Sequence, residues 1–223
     1  LAQEREAALN AQLILDESIP ANMREEVEKI EMEARKRAYE AHTGFMTTFD
    51  PATSTFEDIL GYRAKTTGLM GETIVNAMHV VSGKRRDIGP LRESVLRESL
   101  CYQMCDDLVD SVSDYRKGLP NLFHALSLEN PLERGRFESA SMNQTIIDTR
   151  RPYDIVQLYA PNTLLSYMQR FQAMSSLLPS SRRRFAQDSM ATMTRLSYSP
   201  NTTIGTLNLP EIGQMLAKRT KIV

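Results

Sequence analysis

Between Leu100 and Gly118 the sequence reads LCYQMCDDLVDSVSDYRKG, placing Asp106, Asp107, Asp110 and Asp114 in an otherwise apolar run. On a helix of about 3.6 residues per turn, Gln103, Asp107, Asp110 and Asp114 share one stripe, with Asp106 beside it. Cys101, Met104, Cys105, Leu108, Val109 and Val112 occupy the other side, so the pattern predicts one core face and one acidic face. Like charges at i,i+4 cost an isolated helix about 0.2–0.5 kcal/mol per pair. The nearest cations, Arg116 and Lys117, come only at the end of the run. One reading is a solvated acidic surface. The other is a set of carboxylates for a hard divalent cation. Mg2+ takes one or two protein carboxylates and completes its shell with water and phosphate oxygens, which points to a phosphate-bearing substrate. Removing Asp106 or Asp107 is expected to relieve repulsion and leave the fold intact.

The stripe must be carried by helices, and helical spacing dominates the chain while strand-like alternation is hard to find. An all-α fold is expected. Met23, Val27, Ile30, Ala34, Ala38 and Ala41 recur at three- or four-residue steps within 21–48, predicting a long amphipathic helix. Ser54-Thr55-Phe56-Glu57 has the form of a capping box, so a second helix is expected from there to about Ser82, kinked near Thr66-Thr67-Gly68. Gly89-Pro90 opens the acidic helix, expected to run to about Tyr115 and to end at Gly118-Leu119-Pro120. Further helices are expected over 121–128, 132–147, 160–178 and 181–196, then an irregular stretch and a short C-terminal helix.

The 223 residues, 41% of them hydrophobic, suffice for one sizeable core, and a single domain over 1–223 is expected. A net charge of −1 argues against nucleic-acid or membrane-surface binding. No apolar run reaches a membrane span and no signal-peptide layout opens the chain, so a cytoplasmic location is expected. Cys101 and Cys105 read as small buried residues, and the twelve Met residues as core filler. His42, His79 and His124 lack ligand-like spacing. Lys84-Arg85-Arg86 and Arg182-Arg183-Arg184 read as solvated helix ends.

The run from Ser99 to Asp110 resembles the second aspartate-rich motif of the trans-isoprenyl diphosphate synthases, with Tyr102-Gln103 and Asp106-Asp107-x-x-Asp110 in their places. Upstream, Tyr62 to Leu69, with Lys65-Thr66, resembles that family's Lys-Thr motif. Downstream, Lys117 to Leu126 is similar to the segment that follows the aspartates, and the likeness covers roughly 54–195. The resemblance implies a class I isoprenoid-synthase bundle around a central apolar cavity, and a Mg2+-dependent prenyl transfer on isoprenyl diphosphates. It implies Asp106, Asp107 and Asp110 as metal ligands, Lys65, Thr66, Gln103 and Lys117 as substrate-binding, and Asp106, Asp107 and Lys65 as catalytic.

That family carries an earlier aspartate-rich motif, and no such motif occurs before Lys65 here. The opposing half lies upstream of Leu1, or comes from another subunit, or is absent. Asp106 to Asp114 also partly resembles the metal motif of terpene cyclases. Two alternatives therefore stand beside prenyl transfer: a terpene synthase acting on one diphosphate, and a non-catalytic regulatory subunit. A homodimer, or a heteromer with a synthase subunit, is expected from the same likeness.

Overall fold

The structure is a computed structural model that describes residues 19–83 and 87–196. The expected irregular stretch and C-terminal helix beyond 197, and the Lys84-Arg85-Arg86 cluster, lie outside those residues. Helix α1 (Ala21–Met46) is held along its outer side by Glu31–Arg35 and Lys36–Glu40 pairs at i,i+4. It buries only Ala34 fully and packs against the two helices that follow.

Helix α2 (Phe56–Lys65) starts one residue later than expected. Thr55 is the cap: its hydroxyl accepts from the Asp58 amide at 3.2 Å, and the Asp58 carboxylate accepts from the Thr55 amide at 2.9 Å. Thr66 breaks the helix at φ −113° and ψ −82°, its hydroxyl donating back to the Tyr62 carbonyl at 3.0 Å. Helix α3 (Thr67–Val81) begins directly after this non-helical residue, so the expected kink is a full break.

Helix α3 crosses α4 (Gly89–Val109) closely because Gly68 and Gly71 present no side chain to it. A Cβ on Gly71 would lie 2.8 Å from Val95 Cγ1 and 2.6 Å from Ser99 Oγ; one on Gly68 would lie 2.3 Å from Leu96 Cδ1. Helix α4 stops at Asp110, earlier than expected, and the short α5 (Ser111–Lys117) follows. Gly118, at φ +63°, closes α5 in the left-handed conformation that a residue without Cβ adopts freely. Helix α6 (Leu122–Ser127) is capped by Asn121, whose side-chain oxygen accepts from the Phe123 amide at 2.9 Å.

Helices α7 (Pro131–Met142) and α8 (Gln144–Thr149) replace the single helix expected over 132–147. Asn143 separates them, its side chain accepting from the Ile146 amide. Helix α9 (Pro152–Tyr159) was not expected; it is short, with Pro152 in its first turn. Helices α10 (Pro161–Ser176) and α11 (Ser180–Leu196) agree with expectation. Among the described residues there is no strand, so the fold is all-α. No helix among them is long and apolar enough to cross a membrane.

The core gathers around α4, whose Cys101, Met104, Cys105 and Leu108 are buried against α6, α10 and α11. Phe123 meets Phe137 and Tyr167 edge-to-face at 5.4 and 5.9 Å. The Tyr167 hydroxyl donates to the Met104 carbonyl at 2.8 Å, which anchors α10 to α4. The Met residues divide: Met104 and Met190 are core, whereas Met32, Met70, Met78 and Met142 are exposed, so the core-filler reading holds only in part.

Helix α10 has Ala160 where a capping side chain belongs. The buried Glu133 of α7 fills that role. Its Oε1 accepts from the Asn162 amide and side chain at 3.0 and 2.7 Å, and its Oε2 from the Thr163 amide and hydroxyl at 2.8 and 2.9 Å. Burial pushes the Glu133 carboxyl up, and these four hydrogen bonds outweigh it, leaving Glu133 below the usual range.

Gly71→Ala should lower stability by about 1–3 kcal/mol in urea denaturation despite its better helix propensity, because Val95 is β-branched and stiff. Gly61→Ala, with nothing within 4 Å of the new Cβ, should raise it by about 0.5–1 kcal/mol. The depressed Glu133 carboxyl stabilises the fold above its unfolded pKa and loses that effect as pH falls through its folded value. Glu133→Gln should therefore cost about 2 kcal/mol at neutral pH, with the gap to wild type closing below pH 4.5.

Candidate functional site

The break at Thr66 turns the end of α2 towards the acidic stripe of α4, joining residues far apart in sequence. Arg63 Nη2 donates to Asp107 Oδ1 at 2.8 Å and to the Pro120 carbonyl at 2.9 Å. Gln103 Nε2 donates to Asp107 Oδ1 at 2.7 Å and to Asp106 Oδ2 at 3.2 Å. The Leu122 amide donates to Asp107 Oδ2 at 2.8 Å, tying the start of α6 to the same carboxylate. Asn121 Nδ2 donates to the Asp107 carbonyl at 2.6 Å and to Asp114 Oδ2 at 2.9 Å. The Thr67 hydroxyl donates to Gln103 Oε1 at 3.0 Å, so the Lys65-Thr66 segment and the aspartate segment touch directly.

The stripe is not the single polar face that its spacing predicts. Asp107 is 1% exposed and lies inside, Gln103 is buried, Asp110 and Asp114 are half-buried, and Asp106 is exposed. Burial pushes the Asp107 carboxyl up to about 7 against the pull of Arg63, the Leu122 amide and Gln103. Asp110 is pushed up to about 6, first by burial and then by Asp106 and Asp114, with Lys117 pulling the other way. Asp114 is raised mainly by burial.

Thr66 sits at the helix break and faces a cavity, while Lys65 and Lys117 are exposed. Among the described residues, no three His, Cys, Asp or Glu side chains are grouped to hold a metal ion together. The fit to Mg2+ is therefore divided. Asp106 and Asp110, one turn apart, can offer the one or two carboxylates that this ion takes from a protein. Asp107 already accepts three donors on its two oxygens, an arrangement that holds helices together.

Arg63 is the residue that the spacing did not single out, because a lone Arg two positions before Lys65 carries no pattern. Only the buried carboxylate 44 residues away gives it a role. The thiols of Cys101 and Cys105 are buried as expected, and burial pushes each to about 12. His124 is also structural: burial pulls it down to about 4, and its Nε2 lies 2.6 Å from the Ser111 carbonyl. Arg182 pairs with Glu98 and Arg183 donates to the Ser176 and Leu178 carbonyls, so this basic run joins α11 to α4 and α10.

The expectation that Asp107 could be removed without harm to the fold is revised by this geometry. Asp107→Ala leaves the buried Leu122 N–H without its acceptor and takes the counter-charge from the part-buried Arg63 guanidinium, and should cost about 3–5 kcal/mol in chemical denaturation. Asp106→Ala, at an exposed position, should stay within about 0.5 kcal/mol of wild type. Compared with protein-family models, curated proteins and solved structures, the chain shows no match.

Proposed function

We propose that the chain is a Mg2+-dependent enzyme acting on allylic isoprenyl diphosphates, by prenyl transfer. The observation that carries this reading is the Thr67–Gln103 hydrogen bond at 3.0 Å: the two motif-like segments meet side by side. Asp106 and Asp110 are the carboxylates that would hold Mg2+, with diphosphate oxygens completing the shell. Bound there, the ion would neutralise charge developing on a departing diphosphate. Gln103 fixes the position of Asp106 through its amide, and the exposed Lys65 and Lys117 supply cations for phosphate oxygens. Asp107 serves the site by positioning, since it locks Gln103 and Arg63 against α4.

A second reading, a non-catalytic subunit of a synthase, draws on the apolar row that α3 leaves open. Met70, Ile74 and Met78 stand 49, 62 and 60% exposed along one face, as a surface meant for another protein would. The two readings differ in turnover. Supplied with an allylic diphosphate and isopentenyl diphosphate together, a prenyl transferase releases a longer diphosphate; a terpene synthase needs the allylic substrate alone; a regulatory subunit releases neither.

Mg2+ and pyrophosphate together should raise the melting temperature by more than the sum of their separate shifts, because each supplies ligands the other needs. The double substitution Asp106→Asn with Asp110→Asn should abolish the excess and leave the unliganded melting temperature within a few degrees (about 1 kcal/mol) of wild type. Strictly additive shifts in the wild type would remove the Mg2+ assignment.

A further inference from the structure

Helix α3 lies between α1 and α4 and is apolar nearly all round: of its 15 residues only Glu72 carries a full charge. At about 100° per residue, Glu72, Asn76 and His79 share one side. There Arg92 Nε donates to Asn76 Oδ1 at 2.7 Å and lies 3.8 Å from the Glu72 carboxylate. Met70, Ile74, Met78 and Val81 share the opposite side, and all four are exposed. A helix of a globular protein turns its polar side to water and its apolar side inward. Helix α3 does the first, while its apolar row stays in solvent.

The row continues onto α1. Tyr39 lines the same open depression as Met70, and Met32, one heptad earlier, shares its stripe of α1. Both are exposed. Arg35 and Lys36 flank that stripe and are already paired with Glu31 and Glu40, so the surface has an apolar centre and a rim of balanced charge. A contiguous apolar patch with a polar rim marks a protein contact.

The order of residues in the row selects the partner. Met70, Ile74 and Met78 recur every fourth residue, so the row reads the same in both directions. Laid antiparallel on a second copy about a twofold axis, Ile74 meets the copy's Ile74 and Met70 meets the copy's Met78, along the ridge that i, i+4 residues form. Across such an axis a charge in the row would face its own like, at a high cost. The row carries none, and Glu72 is turned away from it towards Arg92. We propose that α3 and the Met32–Tyr39 stripe of α1 form the interface of a homodimer whose twofold axis passes at Ile74. The Asp106–Asp110 pair takes no part, so this interface stands whether or not Mg2+ binds there. With one helix and one stripe from each copy the interface is small, and the dimer should dissociate at roughly micromolar concentration.

Sedimentation velocity of the full chain across that range tests the proposal, together with cysteine cross-linking. Wild type should pass from monomer to dimer as concentration rises. Ile74→Glu sets two carboxylates against each other at the axis and should weaken association by about tenfold or more, with an unchanged melting temperature because Ile74 is exposed. Ile74→Cys, oxidised with copper phenanthroline, should link to its own copy. Met70→Cys should not, since eight helical residues, about 12 Å, separate it from the copy's position 70, beyond disulfide reach. Mixed with Met78→Cys it should link. The native Cys101 and Cys105 are buried and do not compete. The cysteine variants add no charge, so they decide the matter if Ile74→Glu fails to fold. A monomer at every concentration overturns the proposal; if Ile74→Glu also lowers its melting temperature, the row belongs to another segment of the same chain. A dimer indifferent to Ile74→Glu, an Ile74→Cys that does not link, or a Met70→Cys that links to itself overturns it as well.

Discussion

The Asp107 carboxylate is the interaction on which the arrangement of helices depends. It lies almost wholly out of water, where an unpaired charge is costly, and its two oxygens draw donors from three directions. Arg63 comes from α2, Gln103 from one turn back on α4, and the Leu122 amide from the start of α6. The same Arg63 reaches the Pro120 carbonyl, so the loop between α5 and α6 is fixed from both sides. Asn121 extends the set by capping α6 with its oxygen while its amide nitrogen holds the Asp107 carbonyl and Asp114. A buried carboxyl group thereby ties three helices together, a specificity that apolar packing alone supplies less sharply.

Glu133 repeats this solution between α7 and α10. There too a buried carboxylate on one helix satisfies backbone amides at the start of another, and there too the donors outnumber the carboxylate oxygens. Glu133 stands in for a cap that the local sequence does not provide at α10, and Asp107 adds its oxygen to the cap that Asn121 already gives α6. Leu122 and Thr163 lie in the first turns of α6 and α10, where N–H groups lack intrahelical partners. The chain ties its helix starts to distant helices, so these starts are stable only when the whole bundle is assembled.

The all-α character and most helix positions were legible because apolar spacing and Pro or Gly punctuation are local signals. The Thr55–Asp58 cap was misplaced by one residue because Ser54 and Glu57 satisfy the same pattern equally well. The breaks at Asp110 and Asn143 and the short α9 were missed, since none interrupts the apolar spacing strongly. The acidic stripe was legible as a stripe, but periodicity says which residues share a face, never which face is inside. That choice rests on Arg63, whose relation to Asp107 is visible only after the chain folds. Glu133 was silent for the same reason: its partners are about 30 residues away, although the uncapped Ala160-Pro161 start was a hint in plain view.

The distribution of sulfur has a consequence for how the molecule ages. Both thiols are buried and held far from their reactive thiolate form, so alkylating reagents and dissolved oxygen find no ready cysteine. The thioethers of Met32, Met70, Met78 and Met142 stand in solvent instead. Peroxide would convert these to sulfoxides, turning a flexible apolar side chain into a polar one. On α3 that change falls on the row containing Met70 and Met78, so oxidative damage would make this surface more water-loving while the core stays untouched. The methionine sulfoxide reductases that reverse such damage would meet their substrates on the folded protein.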